Sequence, residues 1–124
     1  MGRLVTLKTP VSFETLLTRI KAYLSLPHVR VSKVKDQITT VAICAGSGGS
    51  LLAGVKADLY LTGEMGHHEV LTANSKGTSV ILCEHTNTER GYLKAVLQGK
   101  LQELLGSDVK VITSVDDKDP LTIA

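Results

Sequence analysis

Three short apolar runs constrain the fold of this chain most strongly. They are Val41–Ala45, Asp58–Leu61 and Ser79–Cys83, and each breaks off into small, polar or metal-binding residues. Strands that are covered on both faces have nearly continuous apolar sequences, whereas half-exposed antiparallel strands alternate apolar and polar residues. The runs therefore predict an α/β fold with a central, mostly parallel sheet and helices on both faces.

The residues that follow the three runs form the candidate site. In open parallel sheets, ligands bind in a crevice outside the carboxyl ends of the strands. The segments at these ends are Gly46–Ser50, Thr62–Glu69 and Glu84–Glu89. We therefore expect the three segments to lie side by side at one edge of the sheet.

Length and composition narrow the class of protein. A chain of 124 residues predicts one domain, residues 1–124, whose core needs neither disulfides nor a structural metal. The N-terminus resembles no secretion signal and no apolar run could cross a bilayer, so we expect a cytoplasmic location and no membrane partner.

A net charge of +2 and 3% aromatic residues argue against direct nucleic-acid binding. Cys44 and Cys83 lie in predicted strands, outside any C-x-x-C pair, and are expected to be reduced core residues.

Hydrophobic periodicity and turn residues predict the remaining elements. Further strands are predicted at Arg3–Leu7, Val29–Val31 and Val109–Val111. Helices are predicted from Phe13 to Leu24, from Ser50 to Val55, from Thr62 or Gly63 to Ala73, and from Thr88 to Leu105. Gly106 is expected to end the last helix, and residues 121–123 to form a tail.

His85 and Glu89 are the first candidates for chemistry. They are four residues apart, so on a helix their side chains share one face and can bind the same ion. An imidazole with a carboxylate suits a divalent transition metal. The alternative is structural, because Thr86–Glu89 has the T-x-x-E pattern of a capping box, in which Glu89 accepts a hydrogen bond from the helix start.

A denser polar cluster contains Glu64, His67, His68 and Glu69. Glu64 lies three or four residues before the histidines, so it is expected to pair with one of them, and that histidine could act as a general acid or base. The alternative is a helix-start carboxylate beside surface histidines.

The glycine-rich turn is the third candidate. Gly46, Ser47, Gly48 and Gly49 allow the backbone to approach a ligand and can direct amides at an anion. The turn has neither the P-loop pattern nor the dinucleotide-binding pattern. A tight strand-to-helix connection explains the same glycines.

These motifs together resemble the NIF-three-like family, whose members are also labelled GTP cyclohydrolase I type 2 homologues. The resemblance rests on Gly46–Gly48, on Ala57–Met65 followed by His67-His68, on Cys83–Arg90, and on Asp117–Leu121. The amino-acid sequences of these motifs are similar to those of eukaryotic members. The resemblance implies a NIF-three-like α/β half-domain, similar to the carboxyl-terminal half of a family in which two such halves enclose a pair of metal ions and assemble into toroidal hexamers.

The resemblance also implies roles for particular residues. His85 and Glu89 match the family's His-x-x-x-Glu metal ligands, for zinc, iron or manganese. The family's His-His-Pro ligands and aspartate have no counterpart here, since Glu69 follows His67-His68. The metal shell is therefore expected to be incomplete in this chain, because a catalytic zinc takes at least three protein ligands.

Two functional hypotheses follow from the resemblance. In the first, the chain carries part of a dinuclear metal site with hydrolase-like activity, and Gly46, Ser47, Gly48, Glu64 and His67 lie nearest the ligand. Whether the chain alone is an enzyme is left open. In the second, it is a homo-oligomeric protein-interaction module that acts as a transcriptional co-regulator in the cytoplasm and nucleus, through protein partners and without direct DNA binding. The structural alternative is a remnant that only forms oligomer contacts.

Overall fold

The computed structural model of this chain describes residues 1–121. The chain divides into two compact units, Met1–Thr88 and Glu89–Ala124, which are described separately below. In the part of the chain that the structure describes, no helix has the length and apolar character needed to span a membrane.

The first unit holds the sheet. Its strands are β1 (Arg3–Ser12), β2 (Arg30–Ser32), β3 (Gln37–Ser47), β4 (Leu59–Glu64) and β5 (Ser79–Leu82). Its helices are α1 (Phe13–Leu24), α2 (Gly49–Leu52) and α3 (His67–Ser75), with a short 3-10 helix at Thr86–Thr88.

The strand order is β1-β3-β4-β5-β2. The three central strands, β3, β4 and β5, are parallel to one another, and the edge strands β1 and β2 run antiparallel to their neighbours. The predicted α/β fold with a parallel centre is confirmed, and the strand predicted at Val29–Val31 overlaps the edge strand β2 (Arg30–Ser32).

Both faces of the central strands are covered, which explains their continuous apolar runs. One face packs against α1, and its buried residues are Phe13, Ile38, Val41, Leu59, Ile81 and Cys83. The other face packs with residues from α2 and α3, and its buried residues are Ala42, Leu52, Tyr60, Ala73, Val80 and Leu82. Neighbouring residues such as Leu59 and Tyr60 thus enter opposite cores, as the alternation of side chains along a strand requires.

Two predicted helix boundaries are wrong. Strand β4 continues through Thr62 and Gly63 to Glu64, and α3 begins only at His67. The strand is longer because Glu64 pairs with Ser47 of β3. Helix α2 ends at Leu52 rather than Val55, after which Gly54 has a φ of +80°.

The second unit is helical from Arg90 to Leu105, and residues 106–121 form no helix or strand. It contains α4 (Arg90–Tyr92), a π-helical turn at Leu93–Leu97 and α5 (Gln98–Leu105). One continuous helix was predicted here, so the π-helical turn is a difference. Gly106, with a φ of 72°, follows the last helical residue, as predicted.

The predicted strand at Val109–Val111 is wrong. Its backbone bonds to glutamine side chains instead of a neighbouring strand: the Val111 amide donates to Gln102 Oε1 at 3.0 Å, and Gln98 Nε2 donates to the Val111 carbonyl at 3.0 Å. Most of the predicted tail, residues 122–123, lies outside the described residues.

Candidate functional site

The carboxyl ends of the parallel strands meet at one edge of the first unit. Ser47, at the end of β3, is the register partner of Glu64, at the end of β4. His85 follows β5 and contacts Glu64 through a hydrogen bond. The predicted convergence of the glycine-rich turn, Glu64 and His85 is therefore confirmed.

The contact between Glu64 and His85 is the centre of this edge. Glu64 Oε1 lies 2.6 Å from His85 Nδ1, and the two side chains are 45% and 44% exposed. An ionised carboxylate only accepts hydrogen bonds, so Nδ1–H of His85 is the donor in this contact. The expected pairing of Glu64 with His67 or His68 is not seen, because its carboxylate bonds to His85, 21 residues away in the sequence.

Internal hydrogen bonds fix the glycine-rich turn. The Gly46 amide donates to Thr88 Oγ1 at 2.8 Å, and the Gly48 amide donates to the Glu64 carbonyl at 3.2 Å. The Gly46 carbonyl accepts from Thr62 Oγ1 at 3.1 Å. These two amides hold the turn, which favours the structural explanation for the glycines. Ser47 is exposed between them.

A strained residue sets the position of His85. Glu84 has a φ of 65°, in the left-handed region that L residues seldom occupy, and its carboxylate accepts a hydrogen bond from Arg30 Nε at 2.8 Å. Beyond it, Asn87 Nδ2 donates to the Cys83 carbonyl at 2.8 Å, and Thr88 Oγ1 donates to the His85 carbonyl at 2.7 Å. The turn that carries His85 is thus held from both sides.

Sequence reasoning missed Arg30, Asn87 and Thr88 as residues that support the site. Arg30 is 54 residues from Glu84, so no local pattern could reveal their contact. Thr88 had a weaker signal, because a hydroxyl three residues after a strand-end histidine can return to that residue's carbonyl.

The histidines of α3 lie in its first turn and are exposed. The rings of His67 and His68 meet edge to face, with their centroids 5.6 Å apart. Glu69 Oε2 accepts from the Gly66 amide at 2.7 Å. Glu69 is therefore a helix-start carboxylate beside surface histidines, and a ligand-binding role for His67 stays a prediction.

Glu89 is the first residue of the second unit and directly precedes α4. The competing capping-box interpretation needs Thr86 to accept a hydrogen bond at the helix start. Thr86 Oγ1 is instead buried and has no hydrogen-bond partner among the described residues. The threonine half of the capping box is not formed, and the pairing of His85 with Glu89 as metal ligands stays a prediction.

The donor chemistry of this edge suits a metal ligand but supplies few donors. Metal-binding histidines usually donate their second ring N–H to a carboxylate, which is the arrangement of His85 and Glu64. Within residues 1–121, no group of three or more His, Cys, Asp or Glu side chains is placed to hold an ion. His85 therefore fits one position of a coordination shell that these residues do not complete.

Both cysteines are free thiols, as predicted. Cys83 is buried, and burial, reinforced by the negative charge of Glu84, raises the pKa of its thiol to about 11. Cys44 is only half-buried, so its placement in the core was too strong an expectation.

The chain matches a protein family described as Duf34/NIF3 (NGG1p interacting factor 3) over residues 1–120. A rat protein, NIF3-like protein 1 from Rattus norvegicus, is 52% identical, and the match covers 99% of this chain and 34% of that protein. A yeast protein, NGG1-interacting factor 3 from Saccharomyces cerevisiae, is 41% identical over 99% of this chain and 45% of its own length. The chain thus spans about a third of the rat relative.

A solved structure has the same fold. The crystal structure of a Bacillus cereus protein related to NIF3 superposes with a TM-score of 0.76 at 21% identity, and covers 100% of this chain and 36% of that one. The likeness supports the α/β architecture described above.

Proposed function

Because the chain belongs to the Duf34/NIF3 family, we propose that it contributes a histidine-centred part of a divalent metal site, with His85 and Glu89 as ligands. The observation that carries this proposal is the 2.6 Å contact between Glu64 Oε1 and His85 Nδ1. This contact orients the ring so that Nε2 would bind the metal ion, and it makes the imidazole a stronger electron-pair donor to that ion. Glu64 is then a positioning residue.

Two ligands make a weak site, so a complete shell needs further donors. A pair of zinc, iron or manganese ions in that shell would activate water for a hydrolase-like reaction. This chain spans only part of its relatives, so other parts of such proteins can supply the remaining ligands. Ser47, Gly46 and Gly48 would border a substrate beside Glu64, and His67 would lie at the start of the next helix.

Metal titration of the whole chain tests this proposal. We expect Zn²⁺ and Mn²⁺ affinity, measured by competition with a chromogenic chelator, to be lost in His85→Ala and reduced in Glu89→Gln. Glu64→Gln should weaken binding by about 10- to 100-fold, the usual effect of losing a carboxylate behind a ligand histidine. His28→Ala, which changes an exposed histidine, is the control. Equal affinity of His85→Ala and the unaltered chain would refute the proposal.

A second candidate function is protein interaction. The yeast relative is named for an interaction with NGG1, and it is 41% identical to this chain. The name supports a role that acts through protein partners. We propose as this alternative a co-regulator in the cytoplasm and nucleus that also forms homo-oligomers. Binding of the purified chain to purified NGG1 tests this function, and sedimentation velocity tests self-association. The His85→Ala variant should bind NGG1 as the unaltered chain does if the two functions are separate, whereas no measurable binding by either would argue against this candidate.

A further inference from the structure

A basic pocket lies at the amino ends of the parallel strands, opposite the edge that holds Glu64 and His85. Its volume is about 560 Å³. Three separate connections each supply one lysine: Lys35 precedes β3, Lys56 precedes β4, and Lys76 follows α3. Lysines that converge from separate loops on one concavity raise the local positive potential.

The carboxylate of Asp58, which lines this pocket, already forms hydrogen bonds and an ion pair. Asp58 Oδ2 accepts hydrogen bonds from the Thr39 and Thr40 amides at 2.9 Å and from Thr40 Oγ1 at 3.0 Å, and Oδ1 pairs with Lys35. Among the described residues, Lys56 and Lys76 form no ion pair. The pocket therefore keeps two uncompensated positive charges.

A smaller, largely apolar cavity of about 210 Å³ adjoins the basic pocket. The two share Gly54, Tyr60 and Lys76. The apolar side includes Met65 and Ala73, and also Glu69, whose carboxylate accepts the hydrogen bond from the Gly66 amide. Together they offer a cationic region beside an apolar one. This combination suits a ligand with a compact anionic group and an apolar body.

We propose that the basic pocket and its apolar neighbour bind a small phosphate ester, with the phosphate at Lys56 and Lys76 and the apolar body against Tyr60 and Met65. Lysine recognises phosphate as a mobile point charge, which fits ammonium groups carried on surface loops. The site is separate from the proposed metal site and does not depend on it.

NMR titration of the ¹⁵N-labelled chain tests the proposal with three probes: phenyl phosphate, inorganic phosphate and phenol. Phenyl phosphate should bind tighter than either of the others and shift the amides of Gly54 and Gly77, which line the pocket. The double variant Lys56→Ala, Lys76→Ala should raise its Kd by about tenfold or more. The control, Lys100→Ala with Lys110→Ala, removes the same charge from the second unit and should leave the Kd unchanged.

Several results would overturn this proposal. Equal weakening in both double variants would mean nonspecific attraction to surface charge. Equal affinity for phenol and phenyl phosphate would mean that the lysines do not bind the phosphate group. Unchanged amide spectra away from the pocket show that the variants are folded, and His85→Ala should bind phenyl phosphate like the unaltered chain, which separates this site from the metal proposal.

Discussion

A Cβ atom on Gly63 would lie 2.9 Å from the Cα atom of His85. The same atom would be 2.7 Å from the Gly46 carbonyl oxygen and 2.9 Å from the Glu84 carbonyl oxygen. All three neighbours are backbone atoms, which cannot rotate away as a flexible side chain can. Strand β4 therefore passes beneath the His85 turn at a distance that only glycine allows.

Gly63→Ala should lower the free energy of unfolding by about 3 kcal/mol, because the added methyl group overpacks a backbone junction. Urea denaturation of the purified chain measures the change. The Gly77→Ala variant is the control: Gly77 has a φ of +79° and nothing within 4 Å of the added atom. It should cost only the conformational penalty of about 1 kcal/mol. Equal losses in the two variants would show that contact with the His85 turn is unimportant.

The strained backbone of Glu84 gives a second prediction. In an Arg30→Ala background, Glu84→Gly should raise the free energy of unfolding by about 0.5 to 1 kcal/mol, since glycine relieves the left-handed strain but gains entropy in the unfolded chain. In the unaltered chain the gain should be smaller by up to about 1 kcal/mol, because Glu84→Gly also removes an exposed ion pair. Denaturation of the four proteins in this cycle measures both effects. Destabilisation by glycine in both backgrounds would disprove strain at this residue.

The parts of the fold that were predictable are those that local sequence determines. The apolar runs at the centre of the sheet predicted β3, β4 and β5, because strands covered on both faces need continuous apolar residues. Their parallel arrangement then placed Glu64 and His85 at one edge. The hydrogen-bond partner of Glu64 was not predictable, since Glu64 bonds to His85 in the turn after β5 rather than to the nearby histidines.

These two errors have a common physical cause in contacts with residues outside the mispredicted segment. Val109–Val111 has the alternation of a strand, yet Gln98 and Gln102 satisfy its backbone. Thr62 and Gly63 resemble a helix start, but pairing of Glu64 with Ser47 extends the strand. Local propensity is overridden in each case by hydrogen bonds to groups outside the segment itself.

The two thiols should differ in reactivity. With a pKa of about 11, Cys83 has roughly one thousandth of its thiol ionised at pH 8, and it is buried. Cys44 is half-buried and borders a cavity beside α1. Alkylation with iodoacetamide, followed by mass spectrometry, should modify Cys44 at least about 100-fold faster than Cys83. Cys44→Ser should abolish the fast phase, and a fast phase that persists in this variant would contradict the prediction.

Asp58 should make stability depend on acid pH. Burial acts to raise the pKa of its carboxyl group, but bonds from Lys35, Thr39 and Thr40 outweigh burial and hold the pKa well below its ordinary range. Because the pKa is lower in the folded chain than in the unfolded chain, the stabilisation is complete above the unfolded value of about 4 and is lost as the pH falls below it. Asp58→Asn should therefore lower the free energy of unfolding at pH 7 by about 1 to 3 kcal/mol and flatten its decline between roughly pH 4.5 and 2.

Denaturation at pH 7 and across this acid range measures both effects. The control is Asp36→Asn, which changes a carboxylate in an exposed ion pair with Lys33. It should nearly keep the pH dependence of the unaltered chain. An unchanged slope in Asp58→Asn would mean that this carboxylate does not link folding to pH.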